Sequence, residues 1–412
     1  MQTDSPRRPG LSTESAGLAL NGGKPVRDTW LPYGHQVISE DDIAAVVKTL
    51  KSDWLTQGPA IKAFEQAVAD YVGVKHAVAV SSGTAALHAA YFAADIGEKD
   101  EIITSPITFA ATSNAAVYQG ARPVFADVSP ENGLIDLNSV KKRITPRTRA
   151  VVGIDFAGQP CDYDGIAEIC KANRLIFILD SAHSLGAFYK GKPACGQADM
   201  SILSFHPVKS ITTGEGGMIL TNSDEYYEKL LIFRTHGIEK RPDKLTVNEG
   251  PWYHEMQELG FNYRMCDLQA ALGASQMKSL NEFIAKRREI ADLYRQKLDG
   301  CPDYECVEEL EGRLSSYHLF PILVKGDPAK YAETRKFVFE ALHAENIGVQ
   351  VHYIPTYKFP YYKKLLGRDW APDCPGAEEF YSREIGLPIF ASMTEKDVDD
   401  VVAALKKIGK CL

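Results

Sequence analysis

The stretch His76–Asp95, HAVAVSSGTAALHAAYFAAD, is a short apolar run that stops at two serines and a glycine and restarts as a helix-like segment. Read as strand, tight turn and helix, it is one βα unit, and the chain repeats it. DEIITSP (Asp100–Pro106) precedes TSNAAVYQG, RPVFADV (Arg122–Val128) precedes DLNSVKKRI, RAVVGIDFAG (Arg149–Gly158) precedes DGIAEICKANR, and LIFILDSA (Leu175–Ala182) follows. Short apolar runs separated by amphipathic segments predict an α/β fold with a mostly parallel sheet covered on both faces. Upstream, SEDDIAAVVKTLKSDW places Ser39 as an N-cap and Ile43, Val46, Val47 and Leu50 on one face expected to be buried. Periodicity from about Cys266 to Leu298 predicts one long helix leading out of this unit. The remainder predicts a smaller α/β unit, with strands near HLFPILV (His318–Val324) and GVQVHYI (Gly348–Ile354) and helices over Ala332–Asn346 and Glu395–Ile408. The expected organisation is a tail and lead-in over 1–30, a large domain over 31–285 and a small C-terminal domain over 286–412.

Composition narrows the function. The 412 residues are 45% hydrophobic and 24% charged, with a net charge of -8, which suits a globular chain with a large core. No run of Lys and Arg exceeds the three of Lys286–Arg288, so nucleic acid is not an expected partner. Eight cysteines without a C-x-x-C pair fit a reducing, cytoplasmic setting and no metal site. No window approaches the roughly 20 apolar residues of a membrane span. Met1–Gly17 lacks a signal peptide's apolar core and reads as a mobile tail.

In open α/β sheets ligands bind at the carboxyl ends of the strands, and three of those ends carry chemistry. Ser81-Ser82-Gly83-Thr84 taken alone reads first as an ordinary helix N-cap, S-G-T being a common string, and second as a phosphate seat of free N–H groups and hydroxyls. Asp180 leaves an apolar strand, where a carboxylate either caps the following turn or meets a cation. His183 fits a satisfied core histidine as well as a site residue. ILSFHPVKSITTGEGGMIL (Ile202–Leu220) sets Lys209 among small and apolar residues. Desolvation depresses the pKa of such a lysine and makes it a nucleophilic amine suited to a Schiff base. A phosphate seat, a buried carboxylate for a pyridinium nitrogen and a lysine for an aldehyde together describe pyridoxal 5'-phosphate.

From about Leu31 onward the chain also resembles the DegT/DnrJ/EryC1/StrS aminotransferases, through SSGTAAL, PITFAATSNA, DSAHSLGA, SFHPVKSITTGEGG and GFNYRMCDLQAALG in that order. The resemblance implies the pyridoxal phosphate-dependent transferase fold of aspartate aminotransferase type (fold type I). It implies that Lys209 carries the cofactor and Asp180 meets the pyridine nitrogen. Ser82, Gly83, Thr84 and Ser204 would hold the phosphate, Phe109 would stack on the ring and His183 would lie near the ring hydroxyl. Asn262 would reach the phosphate of a neighbouring subunit, making the site a product of homodimerisation. Lys209 would act as the base of a ping-pong transamination from L-glutamate to a nucleotide-linked keto sugar.

Within the family the likeness is to the branch that makes UDP-4-amino-4,6-dideoxy-N-acetyl-β-L-altrosamine for pseudaminic acid, through WLTQGP, DFAGQPCD, FRTHG and VQVHYIP. The substrate would then be a UDP-linked 4-keto-6-deoxy-N-acetylhexosamine, chosen by residues near Thr56, Gln57, His318, His352 and Tyr353. The alternatives are an aminotransferase for another 4-keto or 3-keto nucleotide sugar, or a non-catalytic pyridoxal phosphate-binding sensor. A dinucleotide-binding oxidoreductase is disfavoured, because no G-x-G-x-x-G follows the first strand.

Overall fold

The computed structural model describes residues 17–412; the tail expected over Met1–Gly17 lies, Gly17 apart, outside them. The strands β1 (His76–Val80), β2 (Glu101–Thr104), β3 (Arg122–Phe125), β4 (Thr148–Ile154), β5 (Ile176–Asp180), β6 (Met200–Ser204) and β7 (Gly217–Thr221) form one seven-stranded sheet. Its order is β1-β7-β6-β5-β4-β2-β3, and only β7 runs against the others. The carboxyl ends of β1, β2, β4, β5 and β6 therefore share one edge with the start of β7.

The helices follow local chemistry. Gly58 and Pro59 open α2 (Pro59–Val72), and Gly73 ends it at φ 80°, a left-handed cap that glycine adopts without strain. Ser82 caps α3 (Gly83–Ala93) by accepting the Ala85 N–H, and alanines let this helix pack deep against the sheet. A reciprocal Thr394–Asp397 capping box starts the C-terminal helix Glu395–Gly409, which buries Val398, Val401, Leu405 and Ile408.

Three local expectations are corrected. Ser39 does cap α1 (Glu40–Leu50), but Ile43, Val47 and Leu50 are 47%, 39% and 55% exposed. The residue α1 buries is Asp42, whose carboxylate accepts Gln276 Nε2–H at 2.6 Å. Periodicity places apolar residues on one face; it does not say which chain covers that face. The long helix is broken by a tight turn at Met277–Ser279 between Asp267–Gln276 and Leu280–Leu298. Gly348–Ile354 is not a strand. Around it the backbone makes single bridges, Ile347 with Leu31 and Gln350 with Gly386, and the His352 N–H is taken by the Glu384 carboxylate at 2.7 Å instead of a ladder partner.

The small sheet is antiparallel: Phe320–Val324 lies between Tyr304–Cys306 and Glu384–Leu387. The helix Leu280–Leu298 joins the two units. Leu280 and Ile284 pack with α2 and β7, whereas Ile290, Tyr294 and Leu298 pack in the small unit's core. Leu18 and Leu31 join that second core, and the buried Glu345 carboxylate pins the entering chain by accepting the N–H groups of Ala19 and Val26.

Candidate active site

The shared sheet edge opens into a cavity of about 600 Å³, closed on its far side by the small unit. Ser82, Gly83 and Thr84 line it where α3 begins, and the first amides of a helix have no intrahelical acceptor. Two glycines let the backbone close around this end. A Cβ on Gly217 would lie 2.2 Å from the Ser82 carbonyl oxygen, and one on Gly83 would lie 3.0 Å from the Cβ of Ser204.

Asp180 ends β5 inside the cavity wall. Thr112 Oγ1 donates to Oδ2 at 2.7 Å and Ala182 N–H donates to Oδ1 at 3.3 Å. Burial raises its pKa, and these two donors and Lys209 only partly offset that rise. Lys209 follows β6 in a turn closed by its own N–H on the His206 carbonyl at 2.9 Å. Desolvation lowers its amine from 10.5 to about 8; Asp180 pulls the value up and Arg287 pushes it down. With that pKa roughly a tenth of Lys209 is unprotonated at pH 7, against under about a thousandth for an ordinary lysine, and this fraction is a usable base and nucleophile.

Three imidazoles surround this amine. His318 Nε2 lies 3.4 Å from Lys209 Nζ, and the His183 and His318 rings are 4.3 Å apart. His183 Nε2 is 3.1 Å from the Tyr353 hydroxyl. Burial first, then the Lys209 charge, lowers the pKa of all three histidines, His352 to about 4, so they stand neutral at pH 7. The Nδ1 atoms of His183, His318 and His352 are buried without a partner. Phe109 is 63% exposed at the cavity mouth, its ring 6.3 Å from that of Tyr353.

Of the residues singled out from sequence, Lys209, Asp180, Ser82, Gly83, Thr84, Phe109, His183, Ser204, His318, His352 and Tyr353 line this one cavity. Thr56, Gln57 and Asn262 do not: all three are exposed, Thr56 bridging Cys266 and Asn262 bridging Thr235. The tyrosines of the nearby stretch Tyr357–Lys364, YKFPYYKK, differ among themselves. Tyr357 and Tyr362 are buried and bonded to Glu378 and Asn114, which is packing, while Tyr361 is exposed. Sequence reading missed Thr112 and Arg287, which carry no signal outside the folded geometry. Among the described residues, no cluster of His, Cys, Asp or Glu could hold a metal, and no helix is long and apolar enough to cross a membrane.

The DegT/DnrJ/EryC1/StrS aminotransferase family model matches residues 36–406. The Campylobacter jejuni UDP-4-amino-4,6-dideoxy-N-acetyl-β-L-altrosamine transaminase is 40% identical, over 92% of this chain and 99% of its own. The Bacillus subtilis spore coat polysaccharide biosynthesis protein SpsC is 39% identical, over 93% and 98%. Among solved structures, Helicobacter pylori PseC, an aminotransferase involved in the biosynthesis of pseudoaminic acid, superposes with a TM-score of 0.86 at 34% identity, over 93% of this chain and 100% of that one.

Proposed function

The chain belongs to the DegT/DnrJ/EryC1/StrS aminotransferase family, and from that premise we propose that it moves an amino group from L-glutamate to C4 of a UDP-linked 4-keto-6-deoxy-N-acetylhexosamine. The product would be UDP-4-amino-4,6-dideoxy-N-acetyl-β-L-altrosamine, the sugar named for the Campylobacter relative. Pyridoxal 5'-phosphate is its cofactor, and the cavity suits that group. Asp180 is a buried carboxylate with few donors, the start of α3 offers unpaired amides, and Lys209 is a desolvated amine in the same cavity. When bound, the group supplies an electron sink for the negative charge left at carbon when a proton departs.

The chain's own residues supply the rest. Ser82, Gly83, Thr84 and Ser204 would hold the phosphate, and Asp180 would hold a proton on the ring nitrogen. Lys209 Nζ takes the proton from the glutamate α-carbon, and in the second half-reaction returns one to sugar C4. Phe109 would pack against the ring, and His183, oriented by the Tyr353 hydroxyl, would stand near the ring oxygen. His318, His352 and Tyr353 form the sugar side of the cavity. The convergence of Lys209, Asp180 and the α3 terminus on one cavity carries this reading.

The complete site is a dimer's. Asn262, Thr56 and Gln57 lie outside the cavity of their own protomer and serve the partner's. The outward face of α1 with Trp54 and Leu55, and the projecting Trp252 and Leu259, 73% exposed each, are apolar surfaces that a second copy would cover. We place the enzyme in the cytoplasm, with glutamate and nucleotide sugars.

The similarity to SpsC favours one second reading, an aminotransferase for a different nucleotide keto sugar. The test uses holoenzyme aminated with L-glutamate and freed of donor. UDP-2-acetamido-2,6-dideoxy-β-L-arabino-hexos-4-ulose and dTDP-4-keto-6-deoxyglucose are then added separately, and the resting cofactor absorbance is followed. Rapid return with the UDP sugar alone is expected. Return only with the dTDP sugar selects the second reading, and no return with the UDP sugar overturns the first.

A further inference from the structure

The helix Leu280–Leu298 carries Arg287 and Arg288 where it passes from one core to the other. Arg287 is 3% exposed. Its Nη1 donates to the carbonyls of Ile389 at 2.9 Å, Tyr317 at 3.2 Å and His318 at 3.4 Å, and its Nη2 reaches the Val208 carbonyl at 3.5 Å. Its Nε is buried without a partner. Among the described residues no carboxylate offsets this charge; burial alone draws the guanidinium down to about 10.

A buried cation without a counter-ion is costly, and dipoles of four carbonyls only partly relieve it. The place of the charge gives the cost a use. Val208 precedes Lys209, and the His318 carbonyl belongs to the residue whose ring faces the Lys209 amine at 3.4 Å. One rigid, planar group thus bonds the peptides on which both side chains are mounted, and ties them to the small unit through Ile389. The charged or titratable groups facing Lys209 are Asp180 after β5, His183 beyond it, His318, His352 and Arg287. The histidines are neutral, so among these groups Arg287 is the charge that adds to burial against the pull of Asp180.

We propose that Arg287 is a positioning residue for transamination, holding Lys209 and His318 face to face and imposing a positive field that keeps the Lys209 amine available as a base. The inference rests on the role given to Lys209 above. It assigns Arg288 a different part: Arg288 is half-buried, and its bonds to the Ser315 and Gly186 carbonyls at 3.0 and 3.1 Å brace the joint without touching either peptide.

The test measures the pH dependence of Lys209 acylation by acetic anhydride, read by mass spectrometry on holoenzyme aminated with L-glutamate. In Arg287→Gln the labelling midpoint is expected to rise by roughly one pH unit. In Arg287→Lys, which keeps the charge and loses the planar fork, the midpoint should stay and kcat should fall about 10-fold or more with little change in KM for glutamate. Arg288→Gln should leave the midpoint where it is. An unmoved midpoint in folded Arg287→Gln, or an equal shift in Arg288→Gln, overturns the field. Wild-type kcat in Arg287→Lys overturns the positioning, and this arm stands even where Arg287→Gln fails to fold. If Lys209→Ala keeps its turnover, the reading of the site fails; if that variant is dead and the Arg287 variants behave as wild type, only this inference fails.

Discussion

Asp155 directly follows β4 and Asp180 ends the adjacent parallel strand β5, and they are 0% and 8% exposed. Burial raises the pKa of both. Their surroundings differ. Asp155 Oδ2 accepts the hydroxyls of Ser184 at 2.6 Å, Tyr163 at 2.8 Å and Ser181 at 3.0 Å, and Oδ1 accepts the Cys161 N–H at 3.1 Å. Asp180 has one hydroxyl, one distant amide and an open cavity. A carboxylate whose acceptor sites are filled by its own chain is finished and structural; one left short faces something yet to bind. The segment Asp180–Ser184 serves both, with Asp180 and His183 turned to the cavity and Ser181 and Ser184 turned to Asp155.

The largest expected effect tests the cavity side directly. Lys209→Ala should reduce both half-reactions by at least ~10⁴-fold while the thermal midpoint holds. Asp180→Asn follows, with kcat lower by about 10³-fold and stability equal or higher, because the neutral amide no longer carries a buried charge's desolvation cost. Stopped-flow reduction of the cofactor band by glutamate measures the first, and thermal unfolding the second. An active Asp180→Asn would break the comparison at once, since Asp180 would then be as structural as its neighbour.

Asp155→Ala is expected to invert the pattern. Three hydroxyls and an amide would face a hole, costing about 3 kcal/mol in urea unfolding, while turnover per folded molecule stays within about 3-fold of wild type. Loss of turnover without loss of stability would make both carboxylates chemical and leave the donor count without meaning.

How far sequence reaches is visible in the same pair. Apolar runs ending in small or acidic residues were enough to place β1, β5 and β6 and to single out Asp180 and Lys209. They could not separate Asp180 from Asp155, because the distinction lies in donors contributed from Tyr163, Ser184 and Thr112, at sequence distances that local patterns do not encode. The same limit hid α1's outward face, which periodicity defines without naming its cover, and Gly348–Ile354, whose strand-like alternation is spent on single bridges and the Glu384 carboxylate. Arg287 reads as part of a basic triplet on a helix until the fold shows it buried among carbonyls.

The smallest effects sharpen the comparison most, because they remove one hydroxyl from each carboxylate. Thr112→Val deletes the 2.7 Å donor to Asp180, and Ser184→Ala deletes the 2.6 Å donor to Asp155. Each should cost on the order of 1 kcal/mol at neutral pH. The sign with pH is shared: each folded-state carboxyl is already raised above its unfolded value by burial, and losing a donor raises it further. The folded protein then holds the proton longer, so stability falls as pH rises from the unfolded carboxyl range through the folded pKa, and is least reduced in acid. Activity separates the two. In the proposed role Asp180 has to be ionised, so Thr112→Val should move the acid limb of kcat/KM to higher pH. Ser184→Ala should leave that limb in place, since Asp155 touches no part of the cavity. If both variants move it, the two carboxylates titrate as one network through Ser181, and the distinction drawn from their donors is wrong.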